Sequence, residues 1–540
     1  MFPQLSPDHI ERLKQFGKCR TAADGEIIFD EGDVDFPMHV VLSGEIEIVS
    51  PTPEGETPIV VHHAGEFTGE VNMITGRRSL VRGRVRGQSE ILEIDREALK
   101  RLVRTDSELG EIFLRAFLMR RVALIANYPG DAVLIGSNHS ADTLRLKEFL
   151  TRNGHPHTYL DVDRDPGVQA ILDQFHIERH EIPVVVCRRA ALRNPSNAML
   201  ANALGFNLGV DDEKVHDVVV VGAGPAGLAA AVYAASEGLN VLVLEGNAPG
   251  GQAGSSSRIE NYLGFPTGIS GQDLAGRAFV QAQKFGATVA IARSATGLNC
   301  DRSPFRVNCS EGPPVMGRSV IIASGAQYRK LTLEEVTKFE GAGIYYGATN
   351  VESQLCTGEE VAIVGGGNSA GQAAVFLSGC ASHVHVLVRG KGLSDTMSQY
   401  LIVRIEESPK ITLRPFTEIS ALSGNGSLES ITWRNNKTGE TETRPIKHLF
   451  SMTGASPNTA WLNACVTMDE KQFVKTGADL TPEELTAAKW PLKRRPYLFE
   501  TSIPRVFAVG DVRSGSVKRV ASGVGEGSVS VQLVHKVLAE

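Results

Sequence analysis

The stretch Asp217-Val-Val-Val-Val-Gly222-Ala-Gly224-Pro-Ala-Gly227 decides the fold of the larger part of this chain. The run Leu228-Ala-Ala-Ala-Val-Tyr-Ala-Ala235 follows it. The valines predict a buried parallel strand, the glycines a tight turn, and the alanines a helix whose N-terminus faces a pyrophosphate. The next strand ends at Glu245, whose carboxylate is placed to accept a hydrogen bond from a ribose 2′-hydroxyl. This unit predicts a dinucleotide-binding site.

A second copy of the pattern stands at Gly365-Gly-Gly367-Asn-Ser-Ala370, again between a β-branched run and a helix. In register with the first copy, Val388 takes the place of Glu245. Arg389 and Lys391 follow at once, so a 2′-phosphate that an acid would repel meets two cations instead. We interpret the first site as one for FAD and the second as one for NADPH.

Length and composition indicate several domains. The chain has 540 residues, 42% hydrophobic and 22% charged, which is ordinary for a globular protein with three or four cores. The net charge is −7, and residues 77–86 are the one basic stretch, so nucleic-acid binding is not expected. No signal-peptide pattern opens the chain, and we expect a cytoplasmic protein. The uncharged run 218–236 has its glycines and proline where a nucleotide turn needs them, so we reject a membrane span.

The seven cysteines are scattered, and no two are separated by only two residues. The chain therefore has neither a zinc-type nor a redox-type Cys-x-x-Cys. We expect packed or idle thiols. We predict no metal site, because His139 and His176 have no Cys or carboxylate cluster near them in sequence.

Residues 1–128 alternate short β-rich runs with glycine turns between Gly25 and Ile94, and helical patterns flank them at 7–16 and 97–126. This spacing predicts a small barrel or jelly roll. A carboxylate after a glycine turn, followed by an Arg-Ser pair, offers an acceptor for a sugar hydroxyl and donors for a phosphate.

These residues resemble the cyclic-nucleotide-binding domain of catabolite activator proteins and of protein kinase A regulatory subunits. The resemblance implies that Gly69 and Glu70 hold the ribose 2′-hydroxyl of cAMP or cGMP, while Arg78 and Ser79 bind the cyclic phosphate. The family usually has alanine where this chain has Leu80, which could crowd the phosphate. The alternative is a domain that has kept the fold and lost its ligand.

Residues 130–207 predict a β-α-β-α-β order that resembles a thioredoxin or glutaredoxin fold, in which Pro183 would be cis. Where that family has its redox cysteines, this chain has Ser137-Asn-His-Ser140. Hydroxyls cannot form a disulfide, so we expect a docking or spacer module.

Residues 212–540 resemble the low-molecular-weight thioredoxin reductases. The motifs that carry the resemblance are Gly250-Gly-Gln252, Ile259-Glu-Asn261, Val320-Ile-Ile-Ala-Ser-Gly325 and Gly510-Asp511. The family's Arg-Gln-Ala stretch reads Lys518-Arg519-Val520 here, and the charge of Arg519 would raise the flavin potential. By motif and resemblance the predicted FAD residues are Gly222, Gly224, Pro225, Ala226, Gly227, Glu245, Gly251, Gln252, Asn261, Gly325, Gly510, Asp511, Lys518, Arg519 and Val520. Those for NADPH are Gly365, Gly367, Asn368, Ser369, Ala370, Arg389 and Lys391.

This chain departs from the family in lacking the family's dithiol. The Cys-Ala-Thr-Cys of thioredoxin reductases reads Gly347-Ala-Thr-Asn350 here. Cys356 lies nearby, but a lone thiol forms only a mixed disulfide. The usual turnover through a protein dithiol is therefore not expected.

The fold expected is multidomain: a β-roll cyclic-nucleotide-binding domain, a thioredoxin-like α/β domain, and two nested Rossmann-like three-layer α/β domains. The FAD-binding domain would comprise 212–330 and 455–540, and the NADPH-binding domain 331–450. In the family the second domain rotates against the first, with Gly341 and Gly343 as candidate hinges. A homodimer is implied by the resemblance alone.

We predict an FAD-dependent, NADPH-oxidising enzyme in which hydride passes from NADPH to the flavin. Electrons would then go directly to a ferredoxin, a quinone, oxygen or another acceptor, under control of a cyclic nucleotide. The main alternative is a non-catalytic cyclic-nucleotide receptor with structural FAD. A third is thioredoxin reduction through Cys356.

Overall fold

The computed structural model describes residues 2–52, 55–69, 72–127, 132–165, 168–174, 177–187, 190–301, 303–333, 335–463 and 465–540. The first segment is an antiparallel sheet in the order β1-β5-β3-β4, with β2 on β5, flanked by helices. Its elements are α1 (Pro7–Leu13), β1 (Lys18–Ala22), β2 (Ile27–Phe29), β3 (Met38–Thr52), β4 (Gly55–His62), α2 (Asn72–Thr75), β5 (Arg82–Ile94), α3 (Arg96–Thr105) and α4 (Ser107–Asn127).

The helix predicted over 97–126 is in fact two helices, because the chain breaks at Asp106. The backbone of Asp106 is extended (φ −116°, ψ 103°). Its carboxylate accepts a hydrogen bond from Leu109 N at 3.1 Å and lies 2.6 Å from the guanidinium of Arg12. An aspartate that caps the following helix and holds a distant arginine ends α3 in a way that apolar periodicity does not reveal.

The second segment is a four-stranded sheet in the order β7-β6-β8-β9, in which β7 is parallel to β6 while β8 and β9 are antiparallel to their neighbours. The Ile182–Pro183 peptide bond is cis. Ser140 caps α5 by accepting a hydrogen bond from Thr143 N. The elements are β6 (Ala132–Gly136), α5 (Ala141–Arg152), β7 (His157–Asp161), α6 (Val168–Gln174), β8 (Val184–Cys187), β9 (Ala190–Arg193) and α7 (Asn197–Ala203).

The third segment begins with the first predicted strand–turn–helix unit, in which β10 and β11 are parallel. The elements are β10 (Val215–Val221), α8 (Pro225–Ser236), β11 (Val241–Glu245), α9 (Gly271–Lys284), β12 (Thr288–Ile291), β13 (Ala295–Asn299), β14 (Phe305–Cys309), β15 (Val315–Ile322) and β16 (Ala326–Tyr328). The strands β10 to β15 form one sheet in the order β12-β11-β10-β15-β14-β13.

The second strand–turn–helix unit belongs to a separate parallel sheet in the order β17-β24-β18-β19-β20, beside a small antiparallel sheet of β21, β22 and β23. The elements are α10 (Val336–Phe339), β17 (Ile344–Tyr345), α11 (Asn350–Leu355), β18 (Glu360–Val364), α12 (Asn368–Leu377), β19 (His383–Leu387), α13 (Gln399–Glu407), β20 (Ile411–Arg414), β21 (Thr417–Ser423), β22 (Ser430–Asn435), β23 (Thr441–Arg444) and β24 (His448–Ser451).

The chain then returns to the first sheet. Its last elements are β25 (Ala455–Pro457), α14 (Pro482–Ala487), β26 (Val506–Ala508) and α15 (Val520–Ala539). Strand β26 pairs with β15, and β25 pairs with β16, so the outgoing and returning chains run side by side. Side chains reinforce this crossing, since Ser324 and Asn458 each hydrogen-bond to the other's carbonyl at 2.7 and 2.9 Å.

Two cysteines predicted to be unpaired are joined. Cys300 follows β13 and Cys465 lies in the returning chain, and they form a disulfide with their Cα atoms 6.4 Å apart. The expectation of idle thiols is therefore wrong for this pair, because a sequence separation of 165 residues conceals their proximity. Of the helices in the described ranges, none is long and apolar enough to cross a membrane.

Helix α15 packs directly on α8, and glycines on α15 allow the contact. A side chain at Gly527 would collide with the carbonyl oxygen of Ala226, and one at Gly523 would lie 3.6 Å from the Ala226 methyl group. Helix α8 opens at the first glycine turn, so this close approach fixes the turn from behind.

Gly527→Ala should lower the thermal unfolding midpoint, because an added methyl group in a packed contact costs about 1–3 kcal/mol. Gly525→Ala on the same helix is the matched control, since no described atom lies within 4 Å of the added carbon. There the better helix propensity of alanine contributes up to about 1 kcal/mol of stability. Calorimetry of both variants checks this, and equal midpoints would contradict the packing described.

Candidate active site

The first glycine turn has the shape that a pyrophosphate requires. Gly222 has φ +105°, and a side chain there would collide with the carbonyl of Ala323. Gly227 is equally closed by the carbonyl of Gly222, whereas a carbon added at Gly224 would meet only Gly251, at 3.9 Å. The turn is thus packed on its protein side and open at the N-terminus of α8, where an anion is stabilised.

Glu245 is fixed at the end of β11 by two backbone donors. Its carboxylate accepts hydrogen bonds from Ala223 N and Asn247 N, both at 2.8 Å. Burial raises the pKa of this carboxyl, and the two backbone donors oppose that shift. The group is held as an acceptor beside the turn, which fits a ribose hydroxyl.

The loop after β11 closes over the same turn. Gly250 N donates to Ala223 O at 2.7 Å, and Gly250 and Gly251 have φ +104° and +53°. A side chain on Gly251 would lie 3.1 Å from Gly224 Cα. Glycine is needed at both positions because the two backbones pack directly together.

The C-terminal motif reaches the same place. Gly510 has φ +73°, and a side chain there would lie 2.9 Å from the Ala226 methyl group. Gly510 N donates to Glu526 at 2.7 Å, and Arg513 binds the same carboxylate at 2.7 Å. Sequence reasoning missed Glu526 and Arg513, because no local motif marks a carboxylate that binds a turn 16 residues away.

Asp511 is partly buried next to this turn, and burial raises the pKa of its carboxyl while Lys518 opposes the shift. The ammonium group of Lys518 lies 3.1 Å from the Asp511 carbonyl oxygen. Arg519 is exposed and is the N-cap residue of α15, and Val520 is the first residue of that helix. Asn261 is also exposed, in the loop between Ile259 and Ile269.

Gly325 has φ +68°, and its carbonyl accepts a hydrogen bond from Asn458 N at 3.0 Å. It therefore lies at the crossing between the outgoing and returning chains. Its neighbours Ala323 and Ser324 pack against Gly222 of the first glycine turn.

The second glycine turn repeats the first. Gly365 has φ +147°, and a side chain there would lie 2.6 Å from Met452 O, whereas no described atom lies within 4 Å of a carbon added at Gly367. Asn368 orients the next loop by accepting a hydrogen bond from Ser398 N at 2.7 Å. Ala370 is buried in α12. This turn also fits a dinucleotide pyrophosphate.

The positions that follow β19 differ from those of the first unit. Val388 is buried, while Arg389 and Lys391 are exposed. The Arg389 guanidinium lies 3.9 Å from the Glu418 carboxylate, and its side chain is 80% exposed. A cation is therefore available where the first unit has its carboxylate.

Both units border one cleft. On one side it is lined by Gln252 and Ser255–Ser257, and on the other by Gly347, Ala348 and the start of α12, with Tyr328 and Met452 at its base. Gly347 faces Ser255 across the cleft: a Cβ built on Gly347 would lie 3.9 Å from the Cβ of Ser255. Among the described residues no cysteine lines this cleft.

Comparisons with known proteins agree with this geometry. The family model of pyridine nucleotide-disulphide oxidoreductases matches residues 216–527. The chain belongs to this family. A model of the cyclic nucleotide-binding domain matches residues 19–106.

Individual relatives place the oxidoreductase near thioredoxin reductases. It is 31% identical to the thioredoxin reductase of Treponema pallidum over 59% of this chain and 95% of that one. It is 33% identical to NADPH-dependent thioredoxin reductase 3 of Arabidopsis thaliana over 60% of this chain, and spans 59% of the plant protein's length. The crystal structure of Lactococcus lactis thioredoxin reductase superposes with a TM-score of 0.53 at 26% identity, covering 60% of this chain and 99% of that one. The chain is an NAD(P)H-dependent flavin oxidoreductase of the thioredoxin reductase type.

Tyr328 lies in the cleft between the two nucleotide units of the oxidoreductase. It is at the end of β16, in the outgoing chain of the crossing, and it lines the cleft together with Ser369 at the start of α12. Burial raises the pKa of this phenol, and the nearby charge of Asp511 acts in the same direction. The cleft therefore has a neutral tyrosine in its wall. Sequence reasoning did not identify it.

Cys356 lies away from the cleft of the oxidoreductase. It is fully buried in the core that packs on β18 and β19, and its thiol donates to Ser353 O at 3.6 Å. Burial and the adjacent thiol of Cys380 raise its pKa to about 12. The thiolate is the reactive form, so this cysteine is poorly suited to replace the missing dithiol.

The predicted cyclic-nucleotide residues of the oxidoreductase are only partly described, since Glu70 lies outside the described residues. Gly69 has φ +106°, and its carbonyl accepts a hydrogen bond from Arg120 at 2.9 Å. Ser79 is buried, and its hydroxyl donates to Val81 O at 2.8 Å. Arg78 lies 3.4 Å from Gly32 O and packs against Gly205.

Alkylation by iodoacetamide near pH 8 should modify the exposed Cys19 quickly and Cys356 very slowly. Because the pKa of Cys356 is raised to about 12, only about one thiol in ten thousand is ionised at that pH, and the fraction grows as pH rises. Peptide mass spectrometry measures both rates, and urea-unfolded protein is the control. Equal rates in the native protein would contradict this assignment.

Proposed function

We propose that this chain oxidises NADPH through bound FAD and passes the electrons from the flavin directly to an external acceptor, such as a ferredoxin or a quinone. The observation that carries this proposal is the cleft. The family's dithiol positions, Gly347 and Asn350, carry no sulfur, and no cysteine among the described residues lines the cleft.

The sheets support the proposed domain boundaries. Residues 212–330 and 455–540 would form the FAD-binding domain, because β26 returns to the sheet of β10. Residues 331–450 would form the NADPH-binding domain around β18. We assign 1–128 to the cyclic-nucleotide-binding domain and 130–207 to a thioredoxin-like domain without its cysteines.

NADPH rather than NADH is the proposed donor. A buried, neutral Val388 in place of an acid removes the repulsion that a 2′-phosphate would meet. Arg389 is exposed and only distantly paired to Glu418, so its guanidinium is available for a bidentate contact with that phosphate.

The protein contributes to the reaction by aligning the two cofactors. Once both cofactors are bound, hydride transfer from nicotinamide to flavin is their own chemistry. Tyr328 of the outgoing chain and Ser369 at the start of α12 line the same cleft, so both units contribute side chains to it. Gly347 leaves space on the cleft side of Ser255, where a relay cysteine would otherwise stand.

Two alternatives are less well supported. A receptor with structural FAD would not need a second glycine turn whose helix, α12, lines a cleft together with Gln252 of the first unit. Thioredoxin reduction through Cys356 would need a reactive thiol at the cleft, whereas this thiol is buried and its pKa is raised to about 12.

The wild-type chain should oxidise NADPH with quinones or ferricyanide as acceptors and should not reduce the disulfide reagent DTNB. The double variant Gly347→Cys/Asn350→Cys restores the family's cysteine pair and should gain NADPH-dependent DTNB reduction. The matched control is Gly347→Ser/Asn350→Ser, which adds side chains without sulfur. Steady-state rates with each acceptor check this, and DTNB reduction by the wild type and the serine variant would contradict the proposal.

We further propose that cAMP or cGMP regulates the enzyme. Next to the phosphate-binding Arg78, the guanidinium of Arg77 donates to Asn153 O at 2.8 Å. It also lies 4.2 Å from the ring centre of Phe206 and 5.5 Å from that of Phe279, which belongs to α9 of the FAD segment. A nucleotide that moves this loop would therefore act on the flavin segment directly.

Saturating cyclic nucleotide should change the NADPH oxidation rate. The change can be no larger than the ratio of the nucleotide's affinities for the more active and the less active state of the enzyme, which is typically about 5–150-fold. Arg77→Met should preserve nucleotide binding and reduce the rate change, because it removes the contacts to Asn153 and Phe206. Arg86→Met, at an exposed position within β5, is the control. Calorimetric binding and turnover are measured together, and a nucleotide that binds without changing the wild-type rate would contradict regulation.

A further inference from the structure

The thioredoxin-like module, residues 130–207, contacts the first nucleotide unit through the end of α5. Arg152 is its last residue, and its side chain is only 14% exposed. One guanidinium nitrogen donates to Gly251 O at 2.7 Å, and the other lies 3.2 Å from the Glu148 carboxylate. The remaining nitrogen, Nε, is buried without a hydrogen-bond partner in the described part of the chain.

The neighbouring residues hold α5 in this position. Asn153 donates to Asn247 O at 3.1 Å, in the loop that follows Glu245. Gln272 of α9 donates to Thr151 O at 2.7 Å. The end of α5 is therefore attached to the FAD segment on both sides of Arg152, so its guanidinium has a fixed place beside the loop 247–251.

Arg152 supplies a positive charge that the sequence of the first nucleotide unit lacks. From 215 to 257 the sequence has no Lys or Arg, although it contains Asp217, Glu237 and Glu245. The bound dinucleotide would add the negative charge of its pyrophosphate. Burial raises the pKa of Glu245, backbone donors oppose this, and the Arg152 cation opposes it further, so Arg152 acts electrostatically on the site.

We propose that Arg152 is an FAD-positioning residue contributed by the thioredoxin-like module. It fixes the Gly251 carbonyl in the loop 247–251, and its positive charge offsets the negative charges of the pyrophosphate and of Glu245. This inference rests on the proposed function only in placing FAD at the first glycine turn. It also gives a module without redox cysteines a role in cofactor retention.

The test is an FAD titration of the apoprotein, prepared from the full chain, for wild type, Arg152→Met and Arg152→Lys. Arg152→Met should raise the FAD dissociation constant at least about tenfold, because it removes a charge-assisted hydrogen bond. Arg152→Lys keeps the charge and should recover part of the loss. Arg193→Met is the control. Arg193 is the last residue of the edge strand β9 in the same module, and its guanidinium pairs with the Glu181 carboxylate.

Salt and heat separate the proposed role from a structural one. Added salt should weaken FAD binding to the wild type more than to Arg152→Met, while the unfolding midpoint of the apoprotein matches that of the control. An unchanged dissociation constant would overturn the proposal. The proposal would also be overturned if Arg152→Met and Arg152→Lys lost FAD affinity equally, if that loss did not depend on salt, and if the apoprotein were destabilised as well. The titration uses neither NADPH nor acceptor, so failure of the proposed electron transfer would show separately, in turnover.

Discussion

The close approach of a helix N-terminus to a strand end, which only glycine permits, is the constraint on which this structure depends. It occurs twice, at Gly222–Gly227 and at Gly365–Gly367, and each turn is closed behind by backbone carbonyls and open in front. The C-terminal segment reinforces the first turn, because Gly510 and the two α15 glycines Gly523 and Gly527 pack on Ala226. The helix that follows the second turn and the loop that packs on the first turn line one cleft, and the chemistry of the cleft follows from what lines it.

Packing and polar contacts connect the cyclic nucleotide-binding segment to the flavin segment. One hydrophobic cluster includes Leu92 of the first sheet, Phe149 of the module and Val220 of the flavin sheet. Polar contacts follow the same path, from Arg77 to the carbonyl of Asn153 and from the adjacent Arg152 to the FAD loop. The end of α5 thus contacts both the loop that contains Arg77 and the loop that contains Gly251.

Sequence reasoning was strongest where function depends on local spacing. Both strand–turn–helix units, the exchange of Glu245 for Val388 and the loss of the cysteine pair could be deduced from short motifs. Contacts between distant residues could not. The Glu526 carboxylate on Gly510, the Cys300–Cys465 pair and the Arg152 contact all join residues whose proximity no periodicity encodes. The break at Asp106 was missed because a cap contributes no apolar signal.

Anaerobic addition of NADPH to the purified yellow protein, with the flavin absorbance recorded, tests whether the flavin itself accepts and donates electrons without a protein dithiol. We expect NADPH to bleach the flavin, NADH to do so far more slowly, and a quinone then to restore the colour. A flavin that stays oxidised under excess NADPH, or a protein that binds no flavin, would contradict this expectation.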